Sequence, residues 1–389
     1  MTVPEHDVVI IGAGPAGCAT AIALRRHGAG RVLIVDAGDP EAPRAERPRD
    51  ELPRAERPRA GESIPPDTRP LLEDLGVWDD FLAQGHEPCL GSCSSWGGEA
   101  LGYNDYLFNP HGTGWQLERG RFDRLLARHA AAAADTLTRG RLVGVPRTVP
   151  GGIELCVARD DRPARTIRAA VAVDASGRRC RLARAMGARP RHHDRLTFVT
   201  GVIRLPASSE FPNLTLVEAT EHGWWYAARL PGGRLAVAVA TDPGIVRRLR
   251  LHTAEGWLAG ARATARLSGE LAGRAPTGGR VTARAAPSFV LDRASGPGWL
   301  AVGDAAASCD PICARGLHNA LADGRDAALL IADRLHGRPR DTGDHHRAVD
   351  LRFTDYLRVR DHLYGLERRW PTAPFWHRRH RTTPSGRLQ

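Results

Sequence analysis

Gly12, Gly14 and Gly17, set directly after the run Val8-Val9-Ile10-Ile11, are the residues of this chain whose type and spacing most plainly do chemistry. Four β-branched residues in a row read as a short buried strand, and the Ala-rich segment after Gly17 reads as a helix. In such a unit the first glycine makes the tight turn and the second lets backbone approach a pyrophosphate. The third allows close helix–strand packing. Phosphates then sit at the helix N-terminus, where free N–H groups and the helix dipole favour negative charge. Pro15 suits the first helical turn, where its missing N–H costs nothing, and Ala16 follows it. Arg31-Val32-Leu33-Ile34-Val35 reads as a second strand ending on Asp36, 24 positions after Gly12. A carboxylate ~20 residues beyond the first glycine binds the ribose of an adenine dinucleotide. The chain is read as a dinucleotide binder.

The elements that must position these groups follow from the same pattern. Residues 43–49 (PRAERPR) recur verbatim as residues 53–59, and prolines at that density exclude a helix or a central strand. They read as a duplicated exposed loop. Asp67 or Thr68 is expected to cap a helix that runs through Leu71, Leu72 and Leu75 to Gly76. Residues 86–114 are aromatic, Gly-rich and irregular, which predicts an ordered pocket wall. An Ala-rich helix opens at Arg119 and runs to about Ala134. Strands are expected near 153–158 and 167–174, the second leading into Asp174-Ala175-Ser176-Gly177. Two-residue alternation then predicts an antiparallel sheet with strands near 197–204, 213–219, 224–230 and 234–241. Residues 242–275 look helical. A last buried strand, Trp299-Leu300-Ala301-Val302, ends at Gly303-Asp304 and leads through Pro311 and Gly316 into a helix near 316–335. The segment from Asp344 is helical at first, then Arg- and Trp-rich, and its end reads as a solvated terminus rather than a nucleic-acid contact.

Composition narrows the class. A chain of 389 residues, 42% hydrophobic and 25% charged, is an ordinary globular enzyme in make-up. No apolar run approaches the ~20 residues that span a bilayer, and the N-terminus lacks a signal-peptide pattern, so the expected location is the cytoplasm, without membrane attachment. Seven dispersed cysteines, odd in number and without a histidine cluster, read as reduced thiols, and no metal site is expected. The i,i+4 pairs Cys89/Cys93 and Cys309/Cys313 have the spacing to share a helix face. All 55 basic residues are arginine; there is no lysine. The formal charge of +11 suits an acidic partner, although arginine-rich coding accounts for it equally well.

Four motifs occur in order: the first glycine turn, Arg119-x-x-Phe122-Asp123, Asp174-Ala175-x-Gly177, and Gly303-Asp304-Ala305-Ala306 with Asp310-Pro311 and Gly316. Together they resemble the FAD-dependent monooxygenases and the related flavin halogenases, over residues 7 to 335. The resemblance implies an α/β fold, with an FAD-binding Rossmann-like domain of the glutathione-reductase and p-hydroxybenzoate-hydroxylase type. An antiparallel substrate domain is inserted into it, and C-terminal helices follow. The expected division is an FAD-binding domain in three parts (1–85, 115–190 and 285–340), a pocket-loop region (86–114), a sheet domain (191–284) and an Arg-rich helical tail (341–389). It further implies that Gly12, Gly14, Pro15, Ala16 and Gly17 hold the FAD pyrophosphate and Asp36 the adenosine ribose. Arg119 would support the phosphates, and Asp304 the ribityl or pyrophosphate end. Pro311 and the backbone at Gly316 would lie against the isoalloxazine. No second glycine fingerprint exists, so electrons come from transiently bound NAD(P)H or a partner flavin reductase, and oxygen from O2.

Further motifs are similar to one branch of that superfamily, often labelled tryptophan-halogenase-like: residues 61–66 (GESIPP), Trp96-Gly97, residues 109–115 (NPHGTGW) and Gly223-Trp224-Trp225-Tyr226. Members of that branch oxygenate a tryptophan borne on a peptide or protein in making quinone cofactors and pyrroloiminoquinones. A halogenase of this type relays hypohalous acid through a lysine, which this chain lacks, and arginine is a poor substitute because it stays protonated and delocalised. The expected reaction is therefore aromatic hydroxylation through a flavin C4a-hydroperoxide, on the indole of a peptide-borne tryptophan. A free small aromatic substrate, a flavin oxidase or prenyl-reductase-like enzyme, and a flavin-binding scaffold are the alternatives. His111, Glu62 and Tyr226 are the candidate proton-handling groups. Trp96, Trp224 and Trp225 are candidates for an aromatic substrate wall, with core packing as the competing use of each. The ring position attacked and the oligomeric state are left open.

Overall fold

The computed structural model describes residues 4–38, 63–137, 140–159, 162–338 and 341–381. Glu62 and the duplicated loop lie outside these residues. The buried run at Val8 becomes the central strand His6–Ile11 of a parallel sheet, because Val8, Val9 and Ile10 are fully enclosed on both faces. Its neighbours in space are Ser295–Gly296, Trp299–Ala301, Arg162–Asp174, then His6–Ile11 itself, Val32–Val35 and Asp135–Leu137. Ile11 stands beside both Val35 and Asp174, and Asp174 beside Ala301. The carboxyl ends of four parallel strands thus form one edge, where an open α/β sheet binds its ligand. Gly140–Val149 and Gly152–Arg159 extend the long Arg162–Asp174 strand as an antiparallel ribbon.

Helix Pro15–Arg26 covers one face of this sheet, with helices Arg119–Ala133 and Gly316–Leu335 beside it. The first is built of small residues, and this lets the third lie against it: a Cβ on Gly324 would stand 2.5 Å from the Ala16 carbonyl oxygen. The opposite face is covered by the antiparallel ribbon and by the long helix Thr342–Leu366, through Val349, Phe353 and Tyr356. Among the described residues no helix is long and apolar enough to cross a membrane.

The second sheet has seven strands. Four are the expected antiparallel ones, Thr197–Arg204, Thr215–Thr220, Gly223–Leu230 and Arg234–Thr241. Thr282–Ala285 borders them on one side, and Gly91–Ser95 with Leu101–Asp105 on the other. This corrects the reading of residues 86–114 as irregular. Gly91–Ser95 is a strand of small residues that alternate between buried and half-buried, pairing parallel to Thr215–Thr220, so long-range pairing supplies what local propensity does not. Two of its four aromatics also point away from any inner wall: Tyr103 is 66% exposed and Phe108 91%. Cys89 and Cys93 consequently lie on strands rather than one helix face, and all seven cysteines are free thiols. Residues 242–275 hold two short helices, Pro243–Arg248 and Ala254–Arg262, followed by turns.

The chain's end is not a frayed terminus as far as Arg381. Helix Pro374–Arg381 buries Phe375 and Trp376 completely against the second sheet. Two of its arginines are held by the body of the protein, since Arg378 and Arg379 both bond the Asp242 carboxylate at 3.0 Å.

Candidate active site

At the edge of the parallel sheet the glycine turn is set by backbone approach. Gly12 has φ +114°, and a Cβ there would meet the Ala175 carbonyl oxygen at 2.4 Å; a Cβ on Gly17 would meet the Gly12 oxygen at 2.0 Å. Gly14, the N-cap of helix Pro15–Arg26, has nothing within 4 Å of its ideal Cβ. A helix N-terminus open at this point can receive an anion on its free N–H groups. Asp36 is tied to this turn, because its carboxylate accepts the backbone N–H of Ala13 and of Gly38, both at 2.7 Å.

The other residues singled out by the motifs have defined partners. Arg119 opens helix Arg119–Ala133 and is aimed by Asp123, one turn on, whose Oδ1 accepts Nε at 3.2 Å and Nη2 at 3.1 Å. Asp174 does not face a ligand. Its buried carboxylate accepts the Ser176 and Ala183 N–H groups, which fixes the turn carrying Ala175 and Gly177. Asp304 sits half-exposed in a short 3-10 turn, 3.4 Å from the Arg178 guanidinium, and Gly303 beside it is anchored through its N–H to Asp323 at 3.0 Å. Asp323 is buried, which pushes its carboxyl up to about 6 although Arg352 opposes the shift.

Behind Pro311 lies a buried polar network. Asp310 accepts the Ile312 N–H and the Tyr364 hydroxyl, at 3.0 and 2.8 Å, and its own N–H donates to the Tyr356 hydroxyl at 2.8 Å. The Trp224 indole N–H donates to the same Tyr364 oxygen at 2.9 Å. Burial raises the Asp310 carboxyl, with Asp194 adding to this and Arg360 opposing it. Helix Thr342–Leu366 thereby clamps the 311–316 turn, which runs into Gly316 at the start of helix Gly316–Leu335. A Cβ on Gly316 also meets nothing within 4 Å.

On the substrate side the predicted residues separate. Tyr226 is half-buried, and its hydroxyl lies 3.4 Å from Ser63 Oγ, where the second sheet meets the strand Ser63–Ile64. His111 lies exposed in a turn whose Asn109 side chain accepts the His111 backbone N–H at 2.9 Å. Trp224 and Trp225 alternate along one strand and face opposite ways. Trp224 packs with Phe198, Tyr364 and Trp96, whereas Trp225 is buried against Trp257 on the far side. Trp96 is half-buried, and its indole N–H is given to the Leu363 carbonyl at 2.6 Å. The three tryptophans therefore do not form a single wall.

Sequence reasoning missed a cluster at the junction. Thr68 stands at the N-cap position of the following helix, but its side chain makes no capping hydrogen bond there. Asp67 Oδ2 instead pairs with Arg315 at 2.7 Å, and Thr68 Oγ1 lies 3.3 Å from His318 Nδ1. Tyr106 joins from the exposed ribbon, its ring edge against Gly114, and burial raises its phenol. The histidine within Gly316-Leu317-His318-Asn319 was the available signal, since it stands in the first turn of the helix that opens beside Pro311.

Comparison with known proteins agrees with this geometry. The FAD binding domain family matches residues 5–344. The chain is 28% identical over 386 residues to the putative FAD-dependent oxidoreductase LodB of Marinomonas mediterranea, with 97% of each chain covered. It is 26% identical to the peptidyl tryptophan dihydroxylase QhpG, essential for tryptophylquinone cofactor biogenesis, with a TM-score of 0.69 over 96% of this chain and 78% of that one. The flavin-dependent halogenase CmlS superposes with a TM-score of 0.81 over 97% of this chain and 68% of that one, at 22% identity, a likeness of fold.

Proposed function

Because this chain belongs to the FAD-binding domain family, we propose that it is an FAD-dependent monooxygenase that hydroxylates an aromatic ring, the indole of a tryptophan carried on a polypeptide. The observation that carries the choice of reaction is the absence of lysine from a chain with a halogenase-like fold. The likeness to a peptidyl tryptophan dihydroxylase along nearly the whole chain supports the choice of substrate.

The residues present fit FAD. The open helix start at Gly14 would take the pyrophosphate, with Pro15, Ala16 and Arg119 beside it, Asp36 the adenosine ribose and Asp304 the ribityl side. The second open helix start, at Gly316, would face the electron-rich pyrimidine edge of the isoalloxazine beside Pro311. FAD, once reduced, supplies oxygen activation. Overall, ArH, O2, NAD(P)H and H⁺ give ArOH, H2O and NAD(P)⁺, with the nicotinamide or a partner flavin reductase as electron source.

The protein's own part is to orient the ring, exclude water and hold protons. Tyr226 and Ser63 present two hydroxyls at the junction and can hydrogen-bond an indole N–H or the nascent hydroxyl. Glu62 immediately precedes Ser63 in the chain, and His111 stands on the exposed loop as a proton carrier between solvent and substrate. Trp96 and Trp224 stiffen the sheet face behind Tyr226. An exposed rim of Tyr103, Leu107 and Phe108 suits a substrate delivered on a polypeptide.

The test is mass spectrometry after incubation with FAD, NAD(P)H, a flavin reductase and ¹⁸O₂, offering free tryptophan and a tryptophan-bearing peptide in parallel. Labelled oxygen on the peptide alone is the expected outcome. Label on the free amino acid would keep the chemistry and remove the peptide, and label on neither would overturn the indole reading.

A further inference from the structure

His318 is the third residue of helix Gly316–Leu335, two positions beyond the glycine expected to face the flavin. Its side chain is 15% exposed. On one side stand Asp67 and Thr68, with Nδ1 3.8 Å from Asp67 Oδ1 and 3.3 Å from Thr68 Oγ1. At the N-cap of its helix stands Arg315, bonded to the other Asp67 oxygen, and on the helix Arg325, bonded to Asp74 at 3.0 Å. Asp67 and Arg315 are also among the charges that act on the Tyr106 phenol at the end of the exposed ribbon. Asp67 Oδ1 is buried and has no hydrogen-bond partner. A buried carboxylate oxygen without a donor, 3.8 Å from an imidazole nitrogen, defines a second arrangement of the same groups. With His318 neutral, Nδ1 faces the Thr68 hydroxyl; with His318 protonated, an Nδ1–H is available to Asp67 Oδ1. Burial and the Arg315 charge hold the imidazole below its usual range, so the neutral arrangement is the resting one at pH 7.

We propose that His318 is a positioning residue that takes up one proton when the bound flavin is reduced, with Asp67 as the partner of the protonated ring. The inference rests on FAD occupying the site as described above. Negative charge arriving at the helix start favours a positive charge in its first turn, and by linkage that proton favours the reduced cofactor. The balance is one proton from solvent bound at Nδ1 for each two-electron reduction and released on reoxidation. Arg315 cannot serve in this way because it stays charged.

The experiment measures the potential of FAD on the holoprotein by dye equilibration from pH 5 to 9, in the wild type, His318→Asn and Asp67→Asn. Asn keeps a polar atom near the Nδ1 position but cannot titrate. In the wild type the reduction equilibrium is expected to gain an extra tenfold for each unit of falling pH, about 30 mV for a two-electron couple. This window opens where His318 of the reduced protein begins to take up its proton and closes where the oxidised protein has bound it too. His318→Asn should lose the window and Asp67→Asn should move it down by at least one pH unit, with FAD still bound. The histidine Cε1–H proton resonance lost in His318→Asn should titrate at higher pH in the reduced wild type than in the oxidised. An unchanged potential profile in His318→Asn, an unmoved window in Asp67→Asn, or a resonance that ignores reduction overturns the proposal. A wild-type protein that holds no FAD would instead remove the reading on which it rests.

Discussion

The glycine turn and the Tyr226 junction, the two halves of the candidate site, hold their groups in place by different means. At the turn the positions are set by backbone against backbone: Gly12 against Ala175, Gly17 against Gly12, and the Asp36 carboxylate on two N–H groups. At the junction they are set by side chains drawn from distant segments, as in Ser63 with Tyr226, Asp67 with Arg315 and Thr68 with His318. A backbone-built cradle leaves no room for variation but asks little of the rest of the chain. A side-chain junction can change its specificity by single substitutions, and this matches a superfamily in which one fold carries several oxidations.

The sharpest way to break the comparison is Gly17→Val. Its Cβ would stand 2.0 Å from a carbonyl oxygen that belongs to the turn itself, with no flexible side chain to yield. Either the turn or the whole strand–helix unit must move, so we expect loss of FAD binding together with a large loss of stability, read by flavin absorbance and urea unfolding. A Gly17→Val protein that is folded and yellow would show that the turn tolerates displacement and that the two halves are not so different.

This contrast also explains how much was legible in the sequence. The glycine turn is local, and its spacing follows from geometry that three residues dictate, so it could be read without a structure. The alternating strands from Thr197 to Thr241 were legible for a similar reason, since two-residue periodicity is a property of the segment alone. The Gly91–Ser95 strand was not. Its Gly, Ser and Cys residues carry little strand propensity, and only pairing with Thr215–Thr220, over a hundred residues away, makes it a strand. Asp67 looked like a helix cap because that is its commonest local use. Its partner Arg315 lies 248 residues away and leaves no trace nearby. The Arg- and Trp-rich end resembled a solvated tail because Asp242, which pairs with Arg378 and Arg379, lies 136 and 137 residues before them in the chain.

An intermediate effect is expected where the halves meet, behind Pro311. Tyr364→Phe removes a hydroxyl that donates to Asp310 and accepts from Trp224, leaving a buried carboxylate oxygen and a buried indole N–H each short of a partner. Stranding such groups costs about 1–3 kcal/mol each. We expect a lower unfolding midpoint with weaker FAD retention, because the turn that loses its clamp is the one beside the isoalloxazine position. Tyr226→Phe is the control. Its contact with Ser63 is longer and lies in a half-buried place, so stability should change little while turnover falls. If Tyr364→Phe loosened the fold yet left FAD retention intact, the network would belong to the core and not to the site.

The smallest effect on the protein, and the most specific for its substrate, is expected at the rim. Leu107 and Phe108 are 78% and 91% exposed, so neither has much packing to lose. Phe108→Ala should leave stability within ±0.5 kcal/mol, as surface substitutions usually do. Adjacent exposed Leu107 and Phe108 offer apolar surface that a bound polypeptide can cover. We therefore expect Phe108→Ala to raise KM severalfold for a tryptophan-bearing polypeptide and to leave kcat unchanged. Free tryptophan, if it is turned over at all, should show no change, because it brings no polypeptide to cover Phe108. Equal KM for the polypeptide in both proteins would mean that the side-chain half of the site recognises the ring alone. The substrate's scaffold would then have to be bound elsewhere, or not at all.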